Sequence, residues 1–171
     1  SNNTAIGSQA LNANTEGAAN TALGKDALVV NTTGSNNTAL GANALDANTS
    51  QSGNTAVGKE ALASSTTGSR LVAVGNRALY TNSTGSYLTA IGDHALNANT
   101  TASYNVAVGY YALVANTTGS ENTAVGTQAL QNAVTDDANT AIGYRALESC
   151  NGGQYNVAFG YRTFEDTTKG D

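Results

Sequence analysis

Eight tyrosines, one histidine, one cysteine and an adjacent pair of aspartates are the side chains of this 171-residue chain whose types and spacing could do chemistry. The tyrosines recur at a fixed interval. Tyr87 and Tyr104 stand 17 residues apart, and Tyr155 follows three such intervals later. Tyr110, Tyr144 and Tyr161 share a second phase, with Tyr111 beside the first of them. Columns of exposed Tyr suit stacking against sugar rings, and the hydroxyl adds a hydrogen bond; the same rings could instead cover neighbouring coils or a subunit seam. Tyr110, Tyr111, Tyr144 and Tyr161 form the candidate binding surface. His94 has no acidic or nucleophilic partner at a meaningful repeat position and reads as a loop histidine. Cys150 replaces an Asn of the repeat and reads as a packed thiol rather than a nucleophile. Asp136 and Asp137 could hold a cation, but the Gly-Gly-x-Gly-x-Asp calcium repeat is absent, so a solvated turn is expected. No Gly-rich phosphate loop, zinc-ligand spacing or catalytic triad appears. The expectation is a segment that is not an enzyme and takes no cofactor or metal.

What must position these residues is a repeat. A Gly falls at Gly7, Gly24, Gly41, Gly58, Gly75, Gly92, Gly109, Gly126, Gly143 and Gly160, always 17 residues apart. Ala stands two residues before each. Between them lies a large apolar residue: Ile6, Leu23, Leu40, Val57, Val74, Ile91, Val108, Val125, Ile142 and Phe159. Four residues after the Gly come Leu11, Leu28, Leu45, Leu62, Leu79, Leu96, Leu113, Leu130, Leu147 and Phe164. The unit reads Asn-Thr-Ala-Ile-Gly-x-x-Ala-Leu-x-x-Asn-Thr-Thr-Gly-Ser-x. Residues 1–171 are therefore one repeat domain of ten coils.

A 17-residue unit is too short for two helices. It suits one coil of an all-β parallel solenoid, a β-roll. Asn-Thr-Ala-Ile alternates as a strand does, Asn-Thr-Thr-Gly-Ser carries turn chemistry, and Ala-Leu is expected to open a second short strand. Equivalent residues would stack at ~4.8 Å, giving a rod about 48 Å long. Asn14, Asn31 and Asn48 would then bond side chain to side chain along it. The two apolar columns are expected to form the structural ladder. With Ile and Thr turned inward, the small Ala and Gly face would be free for close approach by another chain; the opposite assignment fits the pattern equally well. Two large apolar side chains per coil, worth roughly 3–6 kcal/mol buried, are few against the entropy of ordering 17 residues. A homo-oligomer, most simply a homotrimer, is therefore expected.

A net charge of −5 and scattered cations (Lys25, Lys59, Arg70, Arg77, Arg145, Arg162, Lys169) argue against nucleic acid. No stretch is long and apolar enough to insert in a membrane as a helix. Ser1-Asn2-Asn3 begins, and Thr168-Lys169-Gly170-Asp171 ends, inside a repeat, so a fragment of a longer fibrous protein is expected.

The unit resembles repeats of phage tail-fibre and tail-spike shafts, many of which precede a self-cleaving chaperone domain of the endosialidase type. Its Thr-Ala-Ile-Gly core also resembles the head repeats of trimeric autotransporter adhesins, which are left-handed parallel β-rolls with three chains side by side, though the period of 17 is longer than theirs. The resemblance spans essentially the whole chain. It implies a structural or receptor-binding fibre segment, extracellular on a virion tail or bacterial surface. The implied partners are its own copies and a host-surface glycan or protein receptor. An adhesin head gripping glycan or matrix is the alternative. A third reading, an ice-binding solenoid, rests on the Thr column Thr4, Thr21, Thr38, Thr55, Thr89, Thr123 and Thr140, which Val72, Val106 and Val157 interrupt.

Overall fold

The Thr-Ala-Ile tripeptide is the only part of each unit that becomes strand. The computed structural model describes residues 2–150 and 152–165; Lys169 and the closing run 168–171 lie outside the described residues. Ten three-residue strands form one sheet in chain order: β1 (Thr4–Ile6), β2 (Thr21–Leu23), β3 (Thr38–Leu40), β4 (Thr55–Val57), β5 (Val72–Val74), β6 (Thr89–Ile91), β7 (Val106–Val108), β8 (Thr123–Val125), β9 (Thr140–Ile142) and β10 (Val157–Phe159). Every pair is parallel and in register, Thr4 opposite Thr21, Ala5 opposite Ala22, Ile6 opposite Leu23, and so on to Phe159 opposite Ile142. The fold is a parallel β-solenoid with 17 residues per coil.

Two expectations need correction. The expected second strand is a run of tight turns. The Ala10 N–H donates to the Gly7 carbonyl (3.3 Å), Asn12 to Gln9 (3.2 Å) and Asn14 to Leu11 (3.3 Å). Gln9 and Leu11 are left-handed, at φ 58° and 55°, as the third residue of a type II turn must be. The segment still bonds coil to coil, Leu11 N–H to the Ala27 carbonyl at 2.9 Å, so stacking survives without an extended backbone. Leu28, Leu45 and the rest of the Leu column repeat the left-handed conformation. That conformation explains why the column holds Leu and once Phe but never Ile or Val: β-branching makes positive φ a severe outlier.

The second correction concerns which face is inside. Strand Ala residues are fully buried from Ala22 to Ala141, whereas the following aliphatics point outward, with Ile91 40% exposed. Of the structural ladder, the Leu column from Leu28 to Leu147 is hidden and the column Ile6 to Phe159 is not; Phe164, in the last coil, is exposed. The physical reason lies across the coil. Opposite each strand the interior is already occupied by a second Ala, one Leu and two Asn, such as Ala27, Leu28, Asn20 and Asn31. A methyl is what fits in the space that remains.

The polar half of the interior is satisfied by the stack. Asn31 donates to Asn14 Oδ1 and Asn48 to Asn31 Oδ1, both at 2.8 Å, the expected ladder. A second Asn column braces turns: Asn20 Oδ1 accepts the Asn37 N–H at 2.9 Å while its Nδ2 donates to the Gly34 carbonyl at 2.7 Å. Parallel pairing leaves that N–H without a backbone acceptor, and a buried donor must find one. Leu71 and Leu88 replace this Asn in two central coils and are buried in its place.

Candidate functional site

Two corners flank the strand face. The first follows the strand's closing Gly and carries most of the charge and four of the tyrosines. Tyr110 and Tyr111 lie 4.4 Å apart between ring centroids, and Tyr111 meets the His94 ring at 5.1 Å. Tyr144 and Tyr161 stack at 5.2 Å with planes 16° apart, and the Arg145 guanidinium sits 5.3 Å from the Tyr144 ring. The structure thus brings the candidates together as two groups, Tyr110–Tyr111 and Tyr144–Tyr161, separated in the column by Thr127. Tyr110, Tyr144 and Tyr161 are exposed and Tyr111 is half-buried. Burial, reinforced by Tyr111, pushes the Tyr110 hydroxyl above its ordinary pKa. Each of these four rings has another ring beside it, and Tyr144 also has a guanidinium.

His94 is not without an acidic partner. Its Nδ1 meets the Asp93 carboxylate, a sequence neighbour that lies outside its 17-residue column. That hydrogen bond holds the Asp93 carboxyl below its ordinary pKa. Further along the stack, Glu60 binds Arg77 at 2.6 Å and Lys59 at 2.9 Å, which lowers its pKa in turn, through Lys59 first and Arg77 second. Glu60–Arg77 and Arg145–Glu165 join neighbouring rungs at this corner, while Lys59–Glu60 lies within one rung.

The second corner precedes the inward Asn column. Here Tyr87 and Tyr104 stack at 5.1 Å and 11°, with Arg70 5.1 Å from the Tyr87 ring. Each holds a left-handed backbone, φ 58° and 62°. Tyr155 repeats the position at φ 61° and is 79% exposed. Among the described residues it is the one tyrosine with no ring or cation against it. Its column neighbour one coil back is Ala138, and a groove of about 380 Å³ opens there, lined by Ser120, Glu121, Asp137, Ala138, Gln154 and Tyr155. Spacing alone could have found it, since Ala138 is the gap between Glu121 and Tyr155 in one 17-residue column.

The expected solvated turn at Asp136 and Asp137 is half right. Asp137 is partly exposed and accepts the Ser120 N–H at 2.7 Å. Asp136 is only 2% exposed: it occupies the position of a repeat Gly, so its carboxylate is directed into the stack, where it accepts the Gly152 N–H. Its other oxygen has no partner. Burial is the main cause that raises its pKa, partly opposed by the turn N–H groups of Gly152 and Gly153. Cys150 is buried, 3.8 Å from the Asn156 amide, and burial followed by the Asp136 charge raises its pKa. A thiol so placed is held protonated and shielded, the reverse of an activated nucleophile.

Among the described residues no three of His, Cys, Asp and Glu gather as a metal-binding group. No helix among them is long and apolar enough to cross a membrane. The most extended surface feature is the strand face. Its two outward columns, Thr or Val and then Ile, Leu, Val or Phe, run through all ten coils without one charged residue. Comparison with protein-family models, curated proteins and solved structures finds no match.

Proposed function

We propose that this chain is a stiff structural segment of an extracellular fibre, of the kind found in phage tail fibres, in which identical copies associate side by side through their strand faces as a homotrimer. One observation carries the reading: an uncharged, half-exposed Thr/aliphatic stripe runs the length of the stack, although the chain has 19 charged residues to distribute. Its two columns lie about 6.6 Å apart and extend about 48 Å, an uncharged strip with one apolar column and one of Thr and Val, continuous along the stack. Because the stripe is parallel to the stack, a symmetric ring of copies around one axis buries it in every copy at once. Three flat faces meeting on that axis form a core where most coils alone offer one buried Leu. The unbroken 17-residue register supports a mechanical role, since each rung braces only its neighbours and length can grow by repetition.

In this reading the fibre stands on a virion tail or a bacterial surface. It supports attachment to a host-surface glycan or protein receptor and performs no catalysis of its own. Light scattering on the intact chain tests it: the expected mass is three times the 17.1 kDa of one chain. Ile91→Glu, on the outward column, is expected to release monomers whose circular dichroism is unchanged. A monomeric parent chain, or a charged variant that stays assembled, would overturn the strand-face assignment.

A further inference from the structure

The corner column that carries Tyr87 and Tyr104 measures what fits in it. One rung apart, two six-membered rings stack with centroids at 5.1 Å. At Ala138 the same column lacks a ring, and Tyr155, one rung on, has no stacking partner. The groove of about 380 Å³ lies in that place, within the lower range of small-ligand sites, roughly 300–1,000 Å³.

The rest of its lining is polar. Glu121 comes from the rung before Ala138, Asp137 from the same rung, and Gln154 from the rung of Tyr155. The Ser120 N–H donates to Asp137 Oδ1 at 2.7 Å and fixes that carboxylate's orientation. An apolar platform bordered by carboxylates and an amide is suited to a ring with one C–H face and several hydroxyls at its edge. Two carboxylates and no cation in the lining repel an anionic ligand and favour one with a protonated amine.

We infer that the groove at Ala138 and Tyr155 is a binding site for a single non-anionic sugar ring, which stacks on Tyr155 in the place of the missing aromatic and donates its hydroxyls to Glu121 and Asp137. The site is distinct from the Tyr110–Tyr111 and Tyr144–Tyr161 groups, in which each ring already has another ring beside it. It does not depend on the fibre reading.

The test is saturation-transfer NMR on the intact chain with glucose, glucosamine, glucuronate and phenol as separate probes. Glucose and glucosamine are expected to bind, glucosamine at least as tightly, with transfer concentrated on ring C–H protons. Glucuronate and phenol are expected to bind at least fivefold more weakly than glucose. Tyr155→Ala should weaken glucose at least fivefold. Ala138→Tyr should abolish binding by filling the gap, and the fold should tolerate it: Ala138 has φ 57°, and Tyr87, Tyr104 and Tyr155 hold the same backbone at 58°, 62° and 61°. An unchanged melting temperature for Ala138→Tyr separates blockage from unfolding, and Tyr87→Ala, at another part of the column, should leave binding intact. No transfer to either expected sugar, glucuronate or phenol binding as well as glucose, or persistence of binding in both Tyr155→Ala and Ala138→Tyr would overturn the assignment.

Discussion

Gly75 and Gly53 allow one substitution to be compared in two environments. Gly75 closes β5 at φ 134°, and a Cβ there would lie 2.5 Å from the Gly92 carbonyl carbon and 3.0 Å from the Asp93 nitrogen of the next coil. A side chain at that φ costs about 1–3 kcal/mol in backbone strain. Opening the rung to admit the methyl adds about 1–3 kcal/mol, the usual range for overpacking. Gly75→Ala should therefore cost about 2–6 kcal/mol, a fall in melting temperature of about 4–24 °C for a chain of this size. Gly53 has φ 74°, and a methyl added there would meet no atom within 4 Å. Its column holds Asn36, Arg70 and Tyr87 at similar positive φ in other coils. Gly53→Ala should cost about 1 kcal/mol, since left-handed strain is partly offset by reduced freedom of the unfolded chain, and lower melting by about 2–4 °C. Thermal and urea unfolding followed by far-UV circular dichroism measure both. Because a repeat stack need not unfold in one step, Gly75→Ala is also expected to broaden or split the transition. Equal shifts for the two variants, or a larger one for Gly53→Ala, would refute the claim that rung spacing sets the requirement for glycine.

Two further outcomes follow from the interior. Asn99→Ala should cost about 3 kcal/mol in urea unfolding, because Asn82 Oδ1, the Ala102 carbonyl and Asn116 Nδ2 each lose a buried partner; Asn116 Oδ1 is already such an orphan, where Ala133 interrupts the ladder. Asp136 has a raised native pKa, so between the ordinary value of 3.8 and that raised value the folded state holds a proton the unfolded chain has released. Its contribution to stability is therefore present below pH 3.8 and lost as pH rises through the native pKa. Asp136→Asn removes this slope and should raise the melting temperature at about pH 7 relative to the parent, with the difference vanishing near about pH 3; parallel melting curves across that range would contradict it.

The 17-residue interval, read from Gly and Leu positions alone, determined the stack, its register and the Asn14–Asn31–Asn48 ladder, because any residue repeated at a constant interval must superpose once coils close. Chain order also contained two signals about direction. The strand Ala never varies across ten coils while the next residue is Ile, Leu, Val or Phe, the mark of a tight interior beside a permissive surface. The Leu position excludes Ile and Val, the mark of a left-handed turn rather than a second strand. Neither signal decides the direction by itself, since alternation gives both faces of a strand the same period.

Tertiary structure decided what depends on neighbours in other coils. It turned Ala22 inward because Leu28, Asn20 and Asn31 already filled the coil, and it buried Asp136 because the Gly152 turn above could donate to a carboxylate. Most of the tyrosines gained an adjacent ring or guanidinium against part of their surface, while Tyr155 faces the gap at Ala138. A sequence interval fixes which residues share a column; the volume between columns fixes which of them the solvent can reach.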